Sequence, residues 1–280
     1  MLALREYLAK QGFGQVLLGL SGGIDSALTA AMAVDALGAD KVLGVLLPSP
    51  YSSQGSITDA LQLAENLGIE TQTIPIQSAM TAFDAMLEPS FRGYKADMSE
   101  ENIQARIRGA TLMALSNKYG SLLLTTGNKS ENAVGYATLY GDMCGALNLI
   151  GDLYKTQVYR LANWRNQTLP DRALSKAQSP IPQASIDKAP SAELRFDQCD
   201  QDSLPEYDLL DAVLEALIEG GQTCSEIAQQ QGHDPAVIAR IYQLLHRAEY
   251  KRQQAAPIVK LSERLLSVER SYPISNLFRG

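Results

Sequence analysis

QVLLGLSGGIDSALTAAMAVDALG, residues 15–38, sets the fold. The apolar run at 16–20 reads as a buried strand, and SALTAAMAVDALG reads as a helix closed by Gly38. Between them SGGIDS, residues 21–26, has the small residues and hydroxyls of a phosphate cradle. It is neither the G-x-x-x-x-G-K-[ST] loop nor G-x-G-x-x-G. It carries no lysine, and Asp25 sits where repulsion from phosphate would be greatest.

Working outward, the strand–helix alternation repeats. MLALREYLAKQG is a short amphipathic helix ending at Gly12; KVLGVLLP is a strand stopped by Pro48; ITDALQLAENLG is a helix and IETQTIPI a strand. ENIQARIRGATLMALSNKYG is a long helix, and SLLLTTGN a fourth strand running into a polar loop. This pattern predicts an α/β fold: a doubly wound parallel sheet, Rossmann-like, with helices on both faces. Ligands of such sheets bind beyond the carboxyl ends of the strands, where the strand order switches. The loops SGGIDS and TTGNKSEN both leave strand ends and are expected to open on one side.

After residue 155 the pattern becomes mostly helical, with KTQVYRLANWRNQ, DLLDAVLEALIEG, CSEIAQQQG and PAVIARIYQLLHRAEYKRQ as helices. The expected organisation is one domain over 1–280, with a nucleotide-binding core at 1–155 and a helical part at 156–280. Its segment 179–204, rich in proline and acids, reads as a mobile functional loop.

The composition, 45% apolar and 20% charged, is that of a globular chain, and the net charge of −7 speaks against nucleic-acid binding. The basic cluster HRAEYKR, residues 246–252, is interrupted by Glu249 and reads as a solvated helix end or a local anion site. Three widely spaced cysteines suggest neither a zinc site nor a disulfide framework, so a reducing cytoplasm is expected. No apolar run is long enough for a membrane span.

At SGGIDS, backbone N–H groups left free in the first helical turn can bind anionic oxygens. Gly22 and Gly23 let the backbone approach, and Ser21 and Ser26 add hydroxyls. Asp25 fits such a place if a divalent cation bridges it to phosphate oxygens, as Mg²⁺ does with one or two carboxylates. A Gly-rich turn with Asp25 as a helix-capping residue is the ordinary alternative.

SGGIDS resembles the pyrophosphate-binding loop of the ATP pyrophosphatase group, which cuts ATP between the α- and β-phosphates. The group includes NAD synthetases, GMP synthetases, asparagine synthetases, argininosuccinate synthetases and tRNA-thiolating enzymes. PSPYSSQGSITDA, ENIQARIRG, TTGNKSENAVGYATLYGDMCGAL, DLYKTQVYRLA, KAPSAELRFDQCDQDSLPEYDLLD and EYKRQQAAP together are similar to the NAD synthetase family, in particular to the synthetase portion of its glutamine-dependent form.

This resemblance implies an adenine nucleotide alpha-hydrolase-like fold and a C–N ligase. Deamido-NAD would be adenylated by ATP with Mg²⁺, releasing pyrophosphate, and ammonia would then displace AMP to give NAD. It implies a homodimer, and a nitrilase-like glutaminase domain as the ammonia source in the full-length form, a domain not expected within these 280 residues. It implies ATP contacts from Ser21, Gly22, Gly23, Ile24, Asp25, Ser26, Thr126, Lys155 and Ser191, with Asp25 and Lys155 serving catalysis. Asp25 and Glu131 would hold Mg²⁺. Asn102, Arg106, Glu131 and Lys251 would contact deamido-NAD. Thr126 and Ser191 read equally as capping and turn residues. Arg108, about 200° around the helix from Arg106, is set aside. Ammonia-only enzymes of the family carry a lysine and an aspartate where this chain has Leu139 and Ala146, and a histidine where it has Tyr250; those contacts do not carry over.

Overall fold

A computed structural model describes residues 1–266 and 268–275. In chain order it begins α1 (Leu2–Gln11), β1 (Val16–Gly19), α2 (Ile24–Leu37), β2 (Val42–Leu46), α3 (Gln54–Leu67) and β3 (Glu70–Thr73). There follow α4 (Gln77–Phe91), α5 (Met98–Tyr119), β4 (Leu122–Thr125), α6 (Lys129–Val134) and β5 (Leu147–Asn148). The remainder is helical: α7 (Lys155–Gln167), α8 (Gln183–Asp187), α9 (Tyr207–Ile218), α10 (Cys224–Gln231), α11 (Pro235–Arg247) and α12 (Glu249–Arg252).

The five strands form a parallel sheet in the order β3-β2-β1-β4-β5. Leu17 of β1 pairs with Leu43 of β2 on one side and Leu123 of β4 on the other. Covered on both faces, β1 and β4 are apolar runs rather than alternating ones, as buried parallel strands require. The order reverses between β1 and β4, so the crevice of a doubly wound sheet opens there. Both polar loops recognised in the sequence enter it.

The small residues of α2 are explained by burial. Ala27, Ala30, Ala31 and Ala33 have no exposed surface, and the helix packs close against the sheet. At its entrance Gly22 has φ +80°, and a Cβ there would lie 2.2 Å from the Ser56 carbonyl oxygen. Only glycine fits. Helices α7 and α8 join this first apolar cluster through Val158, Ala162 and Ile186. A second cluster, built on Leu210, Leu214, Ile238 and Ile241, packs α9 and α11 against Ala133 and Val134 of α6.

Several sequence expectations need correction. Helix α4, which the sequence reading left unassigned, buries none of its residues, so it lacks the one-sided burial that makes a helix readable. Strand β5 has two residues, too few to show a period. The long C-terminal helix breaks at Ala248 into α11 and α12. The 179–204 segment contains α8 and a 3₁₀ turn at Asp200–Asp202. The basic cluster is no solvated helix end: Arg252 is buried and paired with buried Glu249 at 2.7 Å. No described helix is long and apolar enough to cross a membrane.

Candidate active site

Three helices begin at the crevice, and each brings an ionisable side chain. Asp25 lies in the first turn of α2, Glu131 in the first turn of α6, and Lys155 opens α7. Lys155 Nζ donates to Asp25 Oδ2 at 2.5 Å and to Glu131 Oε1 at 3.1 Å. Burial alone would lower the Lys155 pKa, but the two carboxylates outweigh it and hold the ammonium above its ordinary value. Glu131 is pushed up to about 7 by burial, with Asp25 repelling it and Lys155 offsetting only part. Two partly buried, mutually repelling carboxylates on one buried ammonium suit a hard divalent cation that takes further oxygens from phosphate. Among the described residues no three His, Cys, Asp or Glu side chains could hold a metal by themselves. The donor set therefore fits an ion that arrives with a phosphorylated ligand.

The loop before α2 is organised by its own hydroxyls. Ser21 Oγ accepts from the Gly23 N–H at 3.2 Å, and Ser26 Oγ donates to the Gly23 carbonyl at 3.0 Å. Asn128, wholly buried, joins the two acids. Its Nδ2 donates to Asp25 Oδ1 and its Oδ1 accepts from the Glu131 N–H, both at 3.0 Å. Behind them, Ser130 Oγ accepts from the Lys155 N–H at 2.8 Å and donates to Asp211 of α9. Asp211 Oδ2 also accepts from the Thr156 N–H at 2.8 Å. A helix of the second cluster thus fixes the starts of both α6 and α7.

These groups line a cavity of about 310 Å³. Of the residues assigned to ATP from the sequence, Gly22 alone does not face it, being packed on Ser56; Thr126 and Ser191 both do. The segment after Lys188 covers the cavity. Glu193 accepts from Ser53 Oγ at 3.0 Å and Ser56 Oγ at 2.5 Å, while Lys188 donates to Asp59 at 2.6 Å. Phe196 meets Tyr51 edge-on with centroids 4.9 Å apart.

Asn102, Arg106 and Lys251 do not line this cavity; they gather on the loop that follows α6. Asn102 Oδ1 accepts from Thr138 Oγ1 at 2.9 Å, and Arg106 Nε donates to the Leu139 carbonyl at 3.2 Å. Lys251 Nζ donates to the Gly135 and Ala137 carbonyls at 2.8 and 2.7 Å. Arg106, Phe83, Ile107 and Tyr140 border a second hollow on the outer side of α5.

A family model described as NAD synthase matches residues 1–255. The chain belongs to the NAD synthase family. The glutamine-dependent NAD(+) synthetase of Rhodobacter capsulatus is 52% identical over 279 residues, 100% of this chain and 50% of that protein. Among solved structures, the glutamine-dependent NAD+ synthetase of Acinetobacter baumannii, in complex with ADP, is 44% identical over 96% of this chain and 47% of its own, with TM-score 0.63. NMN synthetase from Francisella tularensis is 29% identical over 94% of each chain, with TM-score 0.73. The chain spans about half the length of the curated relatives it matches.

Several residues at this candidate site escaped the sequence reading. Asn128 was signalled by the spacing N-x-x-E at a helix start. Arg108 does point away from Arg106, and for that reason it enters the first cavity. Its Nε donates to the Leu47 carbonyl at 3.1 Å, and burial lowers its pKa to about 10. Asp211, Glu193 and Asp200 act across elements distant in sequence, and no local pattern announces that. Of the three departures, Leu139 offers its carbonyl to Arg106, Ala146 packs against the first apolar cluster, and Tyr250 is exposed.

Proposed function

We propose that the chain catalyses the ATP-dependent amidation of deamido-NAD to NAD, with ammonia as the nitrogen donor and AMP and pyrophosphate as co-products. The observation that carries this reading is the meeting of Asp25, Glu131 and Lys155 around the SGGIDS loop. A mere nucleotide binder has no use for two partly buried acids around a buried lysine at the phosphate end.

In this reading the N–H groups and hydroxyls of Ser21, Gly23, Ile24 and Ser26 hold the β- and γ-phosphates. Gly22 sets the turn, and Thr126 and Ser191, which line the cavity, contact the nucleotide. Asp25 and Glu131 would hold Mg²⁺, which when bound would supply positive charge to the phosphate oxygens. The nicotinate carboxylate attacks the α-phosphorus, pyrophosphate leaves, and Lys155 offsets the charge that builds on it. Ammonia then attacks the acyl-adenylate carbon and AMP departs. No side-chain nucleophile is required; catalysis rests on positioning and charge. Glu131, Asn102, Arg106 and Lys251 bind the dinucleotide, the last three from the outer loop. Because they stand apart from the first cavity, beside an exposed apolar face, we infer a homodimer in which a second copy completes that subsite. Glutamine, cleaved by a glutaminase unit, is the inferred source of ammonia, and the cytoplasm the inferred compartment.

The test is direct. Given ATP, Mg²⁺, deamido-NAD and an ammonium salt, the protein is expected to form NAD, AMP and pyrophosphate in equal amounts. ADP as the nucleotide product would overturn the reading. Nicotinate mononucleotide in place of deamido-NAD separates this activity from that of an NMN synthetase. Asp25→Asn should lower turnover by about a hundredfold or more with the circular dichroism spectrum unchanged.

A further inference from the structure

Lys129 belongs to the TTGNKSEN loop and opens α6, yet it does not line the cavity and has no exposed surface. Its Nζ lies within hydrogen-bond distance of four oxygens. They are Asp152 Oδ1 at 2.8 Å, Glu219 Oε1 at 2.6 Å, Ser262 Oγ at 2.7 Å and the Arg264 carbonyl at 3.0 Å. The last two belong to a strap, residues 257–266, that follows α12.

Ions taken out of water are costly unless each is paired and hydrogen-bonded. One ammonium against Asp152 and Glu219 leaves a negative charge over, and the strap offsets it with backbone donors. The Leu261 and Ser262 N–H groups both donate to Asp152 Oδ2 at 2.6 Å, and the Arg264 N–H donates to Glu219 Oε2 at 3.0 Å. Ser262 Oγ donates to Asp152 Oδ1 at 2.8 Å. Burial alone would raise the Asp152 pKa, but the bonds from Lys129, Leu261 and Ser262 hold it below the ordinary carboxylate value. The node is closed only with the strap in place.

Its neighbours in the chain show what the node holds. Lys129 stands two residues before Glu131, and Asp152 three before Lys155. The Lys129 N–H donates to the Leu153 carbonyl at 2.8 Å, which joins the two approaches directly. A second tie reaches the same place. The strap pairs in parallel with Asn148 of β5: the Asn148 N–H donates to the Pro257 carbonyl at 2.8 Å, and the Val259 N–H to the Asn148 carbonyl at 3.1 Å. Asn148 Nδ2 in turn donates to the carbonyl of Gly127 at 2.7 Å. Gly127 immediately precedes Asn128, the residue that joins Asp25 to the start of α6. No residue of the strap lines the cavity itself.

We propose that the strap 257–266 is a positioning element of the site, acting through Lys129 and Asp152 on Glu131 and Lys155, a role that rests on the amidation reading above. Charged groups that must meet phosphate oxygens in one geometry gain rate from being held before the ligand arrives. Glu131 and Lys155 each lie in the first turn of their helix, so the backbone leading into that turn decides where they point. Loosening the strap leaves both groups in the cavity but free to shift, and the effect falls on turnover more than on capture of substrates.

Ser262→Ala removes the hydroxyl between Lys129 and Asp152 and leaves every cavity residue in place; Ser262→Thr returns it. Asp152→Asn keeps the size, but its single acceptor oxygen cannot serve Lys129 and the strap together. Leu8→Ala, in the first apolar cluster, controls for lost stability without lost positioning. Hydrogen exchange without ligands, read by mass spectrometry, is expected to quicken over 127–134 and 152–158 relative to the rest of the chain. That selective change is expected in Ser262→Ala, more strongly in Asp152→Asn, and in neither Ser262→Thr nor Leu8→Ala. NAD formation is measured where circular dichroism shows each variant fully folded. There kcat is expected to fall about threefold in Ser262→Ala and about tenfold in Asp152→Asn, with each KM for ATP and deamido-NAD within about twofold. Ser262→Thr should restore it. Unchanged exchange over the two stretches would overturn the proposal, as would a kcat no lower than that of Leu8→Ala. If the unaltered protein forms no NAD, the amidation reading fails instead, and exchange still decides whether the strap holds these two helix starts.

Discussion

Lys155 is almost wholly buried and shares its ammonium between Asp25 and Glu131, so removing it leaves two like charges facing each other with little water. Breaking such a buried group costs about 3–5 kcal/mol. Lys155→Met is therefore expected to melt well below the unaltered protein in metal-free buffer and to recover part of the loss on adding Mg²⁺. A Mg²⁺ response no larger than the parent's would contradict two carboxylates able to share that ion. Glu131 gives a second test at this scale. Its carboxyl titrates at about 7 when folded and near about 4.3 when unfolded. Between those values the folded state binds more protons, so the Glu131 contribution to stability is full below the lower value and lost as pH rises through the upper one. In metal-free buffer Glu131→Gln should gain in Tm relative to the parent as pH rises across this window. A difference that stays constant with pH would show that Glu131 is not the titrating group.

At the scale of elements, α6 is six residues long and could not persist without its cap and its packing. Asn128 caps it and also holds Asp25, and two substitutions separate these duties. Asn128→Ala is expected to cost about 1–2 kcal/mol along with much of the turnover. Asn128→Ser keeps a capping oxygen but cannot reach Asp25, so it should recover stability without recovering turnover; chemical denaturation beside steady-state rates would tell. Equal recovery of both would reduce Asn128 to a cap. The same scale shows what was legible. Helix α7 reads at both ends because Val158 and Ala162 recur on one buried face. The joining of α2 and α6 at one crevice followed from parallel-sheet logic, since each begins beyond a strand's carboxyl end; the place of α7 there was implied only by the family resemblance, because β5 before it is too short to read. Helix α4 was not legible, for Phe83 and Met86 remain exposed. Nor was the inward turn of Arg108: the sequence gives its angle from Arg106, but not which side of α5 meets the crevice. Asp211 and Asp200 are harder still, because their partners, Thr156 and the cavity, become neighbours only once the second cluster docks.

At the scale of the whole molecule, α4 and α5 leave an apolar face uncovered. Phe83, Met86, Met98 and Met113 are exposed, and a hollow bordered by Ile103, Ala110 and Tyr140 lies among them. A chain with a net charge of −7 does not leave such a face to water without cause. Arg106 borders the same hollow, and Asn102 and Lys251 hold the loop behind it. A second copy laid on this face would bury the apolar surface and close a cleft over those polar groups, which accounts for both features at once. Ala110 is exposed on a helix that tolerates glutamate well. Ala110→Glu should therefore leave the fold intact while placing a charge, and its twofold-related copy, within the contact. Light scattering is expected to give a dimer for the parent and a monomer for the variant. The variant should bind ATP as before and need about tenfold or more deamido-NAD for half-maximal rate, the loss of about 1.4 kcal/mol of binding. A monomeric parent with full activity would place the dinucleotide subsite within one chain, and a variant that stays dimeric would put the contact elsewhere.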